Sequence, residues 1–341
     1  MNPPTATPHI GLFDSGIGGL SVLRALRRQL PAARCSYIAD TAFTPWGERP
    51  AGWVVARCEQ LSAWLIEPPG DAAVDLVLVA CNTGTTQAIA ALRARWPLVA
   101  FVGVEPGIKP AVAASPRRRV AVMATTGTLG SPRLRQLVDH HGGAAWLLHL
   151  PCPGLVEAIE RASGGGDVRA AQALDVQAAQ TANAQTADPQ AADAQAADAL
   201  LAAQLDTIAA TLRGADVDTV VLACTHYPLV ADALQQRLGP AVRLIDTAEA
   251  VVRRVISLLA NNRTGCAGGP GRSGNTGDIG GTTTDTDTDT DTTIAGFAAG
   301  PLRLLATGET GTLQGAAQRW LGVSQGVERL ALPPPQWPLR L

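Results

Sequence analysis

Residues 222–230 read LACTHYPLV, and the apolar run Val220-Val221-Leu222 that leads into them carries Cys224, Thr225 and His226 to the end of a strand. Tyr227-Pro228 stops that strand, because proline lacks the amide hydrogen a ladder needs. A short unbroken apolar run of this kind fits a strand buried on both faces. In open α/β sheets ligands gather at the carboxyl ends of the strands. A thiol, a hydroxyl and an imidazole delivered to that place form a candidate site.

The same layout occurs once more. VDLVLVACNTGTT, residues 74–86, is an apolar run ending in Ala-Cys, with Asn82 and Thr83 directly after Cys81. A single cysteine in such a setting reads as a small buried hydrophobe. That reading weakens for two, because each follows a β-rich run and has a threonine within two residues. A matched pair suggests two thiols facing one another across a ligand.

A third strand end adds a carboxylate. In HIGLFDSGIGGLSVL, residues 9–23, Asp14 and Ser15 stand just past the apolar run and Gly16, Gly18 and Gly19 lead into a helix. The spacing is not the GxGxxG of a dinucleotide fingerprint, and no Gly-Lys-Ser/Thr follows for a P-loop. The glycines fit a tight strand-to-helix turn that presents backbone N–H groups to an anion. Asp14 alone reads equally well as a helix N-cap.

Strands expected at Ile10–Phe13, Val74–Ala80, Val99–Val104, Val120–Ala124, Thr219–Ala223 and Val242–Ile245 alternate with helical stripes such as Leu20, Leu23, Leu26 and Leu30. The alternation predicts α/β architecture, with parallel sheets covered by helices on both faces. Two stretches interrupt it. Residues 163–198 run from SGGGD into Ala-Gln-Asp near-repeats, and residues 263–295 run from a Gly-rich segment into TTTDTDTDTDTT. With no apolar residues to bury, both read as solvated inserts. The Asp run from Asp285 is no calcium loop, because Thr290 and Gly296 occupy the positions that require Gly and Glu.

Composition narrows the classes. The 341 residues carry a formal charge of −2, so no basic surface argues for nucleic acid. No apolar run is long enough to span a membrane. MNPPTATPH has neither the basic region nor the apolar core of a signal peptide, so a cytoplasmic location is expected. Six cysteines without a CxxC pair suggest neither a disulfide framework nor a metal site. Lys109 is the one lysine among 27 Lys and Arg residues, so a Schiff-base mechanism would rest on it alone. Cys35, Cys58, Cys152 and Cys266 lack matched polar neighbours and read as packing or loop residues. His9, His140, His141 and His149 belong to no constellation.

Seven stretches, DSGIGGLSVL, DTAFTPWGER, ACNTGTT, GVEPGIKPA, ATTGTLGS, PGLVEAIE and LACTHYPLV, occur in the order found in glutamate racemases, and the chain resembles that family over nearly its whole length outside the inserts and termini. The resemblance implies two doubly wound parallel-sheet domains with pseudo-twofold symmetry and an active site in the cleft between them. On that basis residues 1–99 with 227–341 form one domain and 100–226 the other. It implies a cofactor-independent enzyme that interconverts L- and D-glutamate and supplies D-glutamate for peptidoglycan. A small-molecule substrate is the implied partner, with no nucleic acid and no membrane; a homodimer stays open.

By the same resemblance Cys81 and Cys224 are the catalytic cysteines. Asp14 is the acid beside the first, and Glu157 with His226 stands near the second. Asp14, Ser15, Trp46, Gly47, Asn82, Thr83, Thr225 and His226 match substrate-binding positions. Two departures stand out. Trp46 replaces the tyrosine of the family's Pro-Tyr-Gly, and Gly84 replaces an alanine after Asn-Thr. On local residues alone His226 and Glu157 read as readily as structural or surface groups. Related readings are an aspartate-type racemase and, from another class, a regulatory protein, since some glutamate racemases inhibit DNA gyrase. His226 after the second Cys-Thr and the presence of both cysteines favour the glutamate enzyme.

Overall fold

The computed structural model describes residues 7–164, 189–265 and 299–336. In chain order the elements are β1 (His9–Asp14), α1 (Leu20–Gln29), β2 (Arg34–Ala39), α2 (Ala51–Ile66), β3 (Leu76–Val79), α3 (Asn82–Arg95), β4 (Ala100–Gly103) and α4 (Ile108–Ala114). They continue as β5 (Arg119–Ala124), α5 (Thr126–Leu129), α6 (Pro132–His141), β6 (Trp146–Pro151), α7 (Leu155–Gly164), α8 (Pro189–Gly214), β7 (Thr219–Leu222), α9 (Ala231–Leu238) and β8 (Arg243–Ile245). The last are α10 (Ala248–Gly265), β9 (Leu302–Ala306), α11 (Thr310–Leu321) and β10 (Val327–Arg329).

The strands form two sheets, β10-β9-β2-β1-β3-β4 and β6-β5-β7-β8, and every pairing is parallel. The order β2-β1-β3-β4 in the first recurs as β6-β5-β7-β8 in the second. β9 and β10 extend the first sheet alone. In this repeat β3 and β7 are equivalent strands, and Cys81 and Cys224 each lie two residues beyond their ends.

Both faces of each sheet are covered, as the unbroken apolar strands require. Phe13, Val77 and Val79 turn to a core built with α2 and α3, while Val120, Val122 and Val221 pack with α4 and α6. The opposite faces share one continuous cluster. Ile10, Leu12 and Leu78 of the first sheet belong to the same core as Met123, Val220 and Leu222 of the second, with α1, α7, α8 and α9 among them. The two units are therefore packed against each other by apolar burial as well as by polar contacts.

Strand pairing moves both expected domain boundaries. β4 lies beyond residue 99 yet pairs with β3 in the first sheet, with Leu76 opposite Ala100. β8 lies beyond residue 226 yet pairs with β7 in the second, with Thr219 opposite Arg243. An apolar run announces a strand without naming its neighbour, which is fixed by tertiary packing. The chain crosses between units after β4 and again after β8.

The reading of residues 163–198 as a solvated insert is corrected at both ends. Residues 163–164 close α7 and residues 189–198 are the first turns of α8. Ala and Gln are strong helix formers, so an Ala-Gln-rich repeat extends a helix once a packed segment follows it. Here that segment is Leu201, Leu205, Ile208 and Leu212, all buried. Residues 165–188, most of the second insert including Asp285 to Thr290, and Cys266 lie outside the described residues. β2, β6, β9 and β10 have no counterpart among the expected strands. RCSYIA and WLLHLP mix polar with apolar residues, and β10 is a three-residue edge.

Among the described residues no helix is long and apolar enough to cross a membrane, and no cluster of His, Cys, Asp and Glu could hold a metal ion.

Candidate active site

One pocket gathers the carboxyl ends of strands from both sheets. Ser15, Pro45, Trp46, Gly47, Cys81, Asn82 and Thr83 enter it from the first unit. Thr125, Thr128, Val156, Cys224, Thr225 and His226 enter it from the second. Of the expected site residues, only Asp14 and Glu157 do not line it.

Cys81 caps α3, its sulfur accepting the Gly84 N–H at 3.4 Å. Its thiol donates to Ser15 Oγ at 3.7 Å, and Ser15 Oγ donates in turn to Asp14 Oδ1 at 3.3 Å. This is a three-member chain from sulfur to carboxylate. Asp14 is fully buried behind the pocket wall and accepts the Ser15 and Gly19 amides at 2.7 and 2.6 Å. It also accepts Thr225 Oγ1 from the other unit at 3.2 Å. Asp14 is not the helix N-cap, since Gly19 holds that position with no side-chain cap bond. Instead it ties down the turn before α1 through the Ser15 and Gly19 amides, and stands behind the first cysteine through Ser15.

Burial and the neighbouring Asp14 carboxylate push the Cys81 thiol well above the ordinary cysteine range, against the Gly84 N–H and Ser15 hydroxyl; Cys224 adds to the rise. Burial also raises the Asp14 carboxyl, opposed by the His226 charge and the surrounding donors. On the first arm the sulfur is thus held as a thiol.

The second arm has a different make-up. Cys224 Sγ lies 3.9 Å from His226 Nδ1, and His226 Nε2 lies 2.9 Å from Glu160 Oε1. Burial on its own would depress the imidazole, but the Cys224 sulfur and the Glu160 carboxylate outweigh it and hold His226 well above its usual range.

The carboxylate on His226 is therefore Glu160 and not the expected Glu157. The two stand three residues apart on α7, so helical periodicity puts both near one face and spacing cannot choose between them. In the structure Glu160 is buried while Glu157 is half-buried. Glu157 acts at longer range on Tyr227, whose phenol is raised by burial first, then by Cys224 and Cys152.

The glycines after β1 acquire a reason that the sequence did not supply. A Cβ at Gly16 would collide with Glu160 Oε1, and one at Gly18 with the His226 ring and its backbone nitrogen. The turn is bare so that the second unit can approach it. The anions its amides meet are the chain's own: Gly19 N–H points to Asp14 and Ile17 N–H to Glu160.

The remaining lining is rich in hydroxyls and amides. Thr83 Oγ1 shares protons with Thr125 Oγ1 at 3.0 Å and Thr128 Oγ1 at 3.3 Å, across the units. Asn82 donates to the Val104 carbonyl, while its own carbonyl oxygen is buried without a partner. Gly47 O accepts Gly127 N–H at 2.8 Å, a second tie across the pocket. Thr125, Thr128, Pro45 and Val156 were not among the expected site residues. Thr125 follows β5 directly, so the strand-end rule that singled out Cys81 would have reached it, while Thr128 lies one turn on in α5. Val156 carried no such signal.

No protein-family model matches the chain. Glutamate racemases from Pseudomonas paraeruginosa and Ralstonia nicotianae are each 39% identical to it over 264 residues, covering 76% of this chain and 86% and 82% of their own lengths. A glutamate racemase isoform from Bacillus anthracis shares its fold, with a TM-score of 0.68 over 96% of this chain and 98% of that one at 23% identity. The Escherichia coli glutamate racemase, solved with L-glutamate and the activator UDP-MurNAc-Ala, gives a TM-score of 0.64 at 25% identity, covering 96% of this chain and 99% of that one. Relatives at this identity, matched over three quarters of the sequence, show that the chain belongs to the glutamate racemase family of isomerases.

Proposed function

We propose that this protein interconverts L- and D-glutamate by two-base proton transfer between Cys81 and Cys224, with no cofactor, and supplies D-glutamate for peptidoglycan synthesis. The observation that carries the reading is the pair of strand-end cysteines, contributed by equivalent strands of two sheets to one pocket. Racemisation removes the α-proton from one face of the carbon and returns one to the other. It therefore needs an acid–base group on each side.

In the L-to-D direction Cys224, as thiolate, takes the α-proton and becomes a thiol. Cys81, held as a thiol, gives its proton to the opposite face and is left as a thiolate. The electron pair of the broken C–H bond ends in the new one, so the substrate carries no net change. Ser15 with Asp14 on one side, and His226 on the other, exchange protons with the sulfurs and reset the pair. In the reverse direction the roles swap.

The carbanion between the two steps is stabilised by preorganised donors in place of an electron sink. The hydroxyls of Thr83, Thr125, Thr128 and Thr225 and nearby amides suit the two substrate carboxylates. The unpartnered Asn82 carbonyl oxygen suits the ammonium. Ser15, Trp46 and Gly47 complete the substrate's surroundings. Many neutral donors on the pocket wall can hydrogen-bond the substrate carboxylates without adding further buried charge.

The test is circular dichroism of L-glutamate incubated with the purified protein and no added cofactor. The signal should decay to zero as the racemate forms. A signal that persists at high protein concentration overturns the reading.

A further inference from the structure

Glu160 makes a contact set that a surface glutamate on a helix does not make. It is 8% exposed, and its Oε1 accepts from His226 Nε2 at 2.9 Å, Thr44 Oγ1 at 3.1 Å and Ile17 N–H at 3.2 Å. Glu160 and His226 belong to the second unit, while Ile17 and Thr44 belong to the first. One carboxylate oxygen is thus held from both sides of the cleft. The absent side chain of Gly16 is what leaves room for it.

The consequence for His226 follows from its two nitrogens. With Nε2 committed to the carboxylate as a donor, Nδ1 is the nitrogen that faces Cys224 Sγ. A carboxylate on one imidazole nitrogen fixes the tautomer and the ring orientation of the other. Glu157 makes no comparable approach.

We propose that Glu160 is the positioning residue of the Cys224 arm, and that its bonds to Ile17 and Thr44 make that arm assemble only when the two units meet. The proposal rests on the racemase reading for its kinetic consequence. Glu160 does not line the pocket; it acts through His226, and the neighbouring unit acts through Glu160. The turn Gly16-Ile17-Gly18 thereby serves the cysteine of the opposite unit as well as Asp14 of its own.

Four variants test it: Glu160→Gln, Glu160→Asp, Glu157→Gln and Gly16→Ala. The equilibrium constant between enantiomers is one, so kcat/KM is equal in the two directions and cannot locate a defect. Primary isotope effects with α-deuterated L- and D-glutamate can. Slowing the Cys224 step raises the effect in the direction where Cys224 abstracts the proton, and drives the opposite one towards unity.

Glu160→Gln should lose roughly 10- to 100-fold in kcat/KM, on the scale that loss of an orienting partner costs a metal-bound histidine, and show that split. Glu160→Asp should recover part of the rate, and Gly16→Ala, which displaces the carboxylate, should reproduce the split. Glu157→Gln, whose carboxyl does not meet His226, should keep the parental isotope effects in both directions whatever its rate. Alkylation of Cys224 by iodoacetamide, followed against pH by peptide mass analysis, supplies a readout free of turnover. Its profile should move in Glu160→Gln and stay in Glu157→Gln. Unchanged isotope effects in Glu160→Gln, or the split appearing in Glu157→Gln, overturns the proposal. If Glu160→Gln does not fold, Gly16→Ala and Glu160→Asp decide by the same two measurements. A parent protein inert towards both enantiomers overturns the racemase reading instead, and an alkylation profile unmoved by Glu160→Gln then overturns the role of Glu160 separately.

Discussion

The indole of Trp46 lies against Gly84, so that a Cβ at position 84 would stand 3.1 Å from Trp46 Cζ3. The resemblance to glutamate racemases leads to tyrosine and alanine at these two positions, and this chain departs at both. The departures form one packing unit, in which the larger ring takes space that a methyl would fill. Trp46 keeps the larger ring because it is fully buried and its Nε1–H donates to Asp40 Oδ2 at 3.1 Å. Asp40 is in turn held by buried Arg57 at 2.6 Å and by Thr307 Oγ1 at 2.7 Å.

A double-mutant cycle measures this unit. Gly84→Ala alone should fall short of the ~1 kcal/mol that alanine gains over glycine in a helix, because the ring must give way. Trp46→Tyr alone should cost about 1 kcal/mol through the lost bond to Asp40. The double variant should be more stable than the two singles predict by at least ~0.5 kcal/mol. Urea denaturation gives the four values. Simple additivity would show that the two positions do not share space.

Either cysteine alone should leave half of a proton exchange. Cys81→Ser and Cys224→Ser should each reduce racemisation by at least about 100-fold, the lower end of what a positioned acid–base group contributes. By the family resemblance Cys81 acts on D-glutamate and Cys224 on L-glutamate. Initial rates by circular dichroism check it. Near-parental turnover in either variant is incompatible with two bases.

Solvent deuterium should enter product while recovered substrate stays protonated at low conversion. Each thiol is monoprotic, so a proton taken by Cys224 stays on that face, and the one delivered by Cys81 has exchanged with water. Proton NMR of the α-position in both pools reads the outcome. Retention of the original α-proton in product would point to one polyprotic base.

Three groups of the site tie stability to pH with the same sign. Asp14, Cys81 and His226 all have folded pKa values raised above their unfolded ones, Asp14 and Cys81 by burial and His226 by its Cys224 and Glu160 partners against burial. A raised group contributes stability that is complete below its unfolded pKa and is lost as pH rises through the folded one. The Asp14 window opens in the acid range, the His226 window near neutrality and the Cys81 window on the alkaline side. The melting temperature of the ligand-free protein should fall from pH 7 to pH 10. Cys81→Ala should flatten the alkaline part of that fall. A melting temperature that holds or rises across this range contradicts the sign.

Much of the site was legible because parallel sheets place ligands at strand ends, and apolar runs that stop at ACNT, ACTH and DSG mark those ends in one dimension. Cys81, Asn82, Thr83, Cys224, Thr225, His226 and Ser15 all line the pocket. Residues whose role depends on which surfaces meet were not legible in this way. Glu157 and Glu160 share a helix face, and only the approach of the second unit to the bare Gly16 turn selects Glu160. The glycines suggested an external anion, while the packing supplies two internal ones.

The order of apolar runs and stripes determined, from the sequence by itself, that this chain folds as α/β with parallel sheets and carries two strand-end cysteines, because those periodicities are local consequences of which faces are buried. Which strands pair, that β4 stays with the first sheet and β8 joins the second, that an Ala-Gln repeat becomes the start of α8, and that Glu160 holds His226 were decided by tertiary structure alone. The strand pairings and the Glu160 bond are contacts between segments distant in sequence. The start of α8 follows from the burial of Leu201 to Leu212 against other elements. The free energy that selects each therefore resides in the packed surface and not in the segment alone.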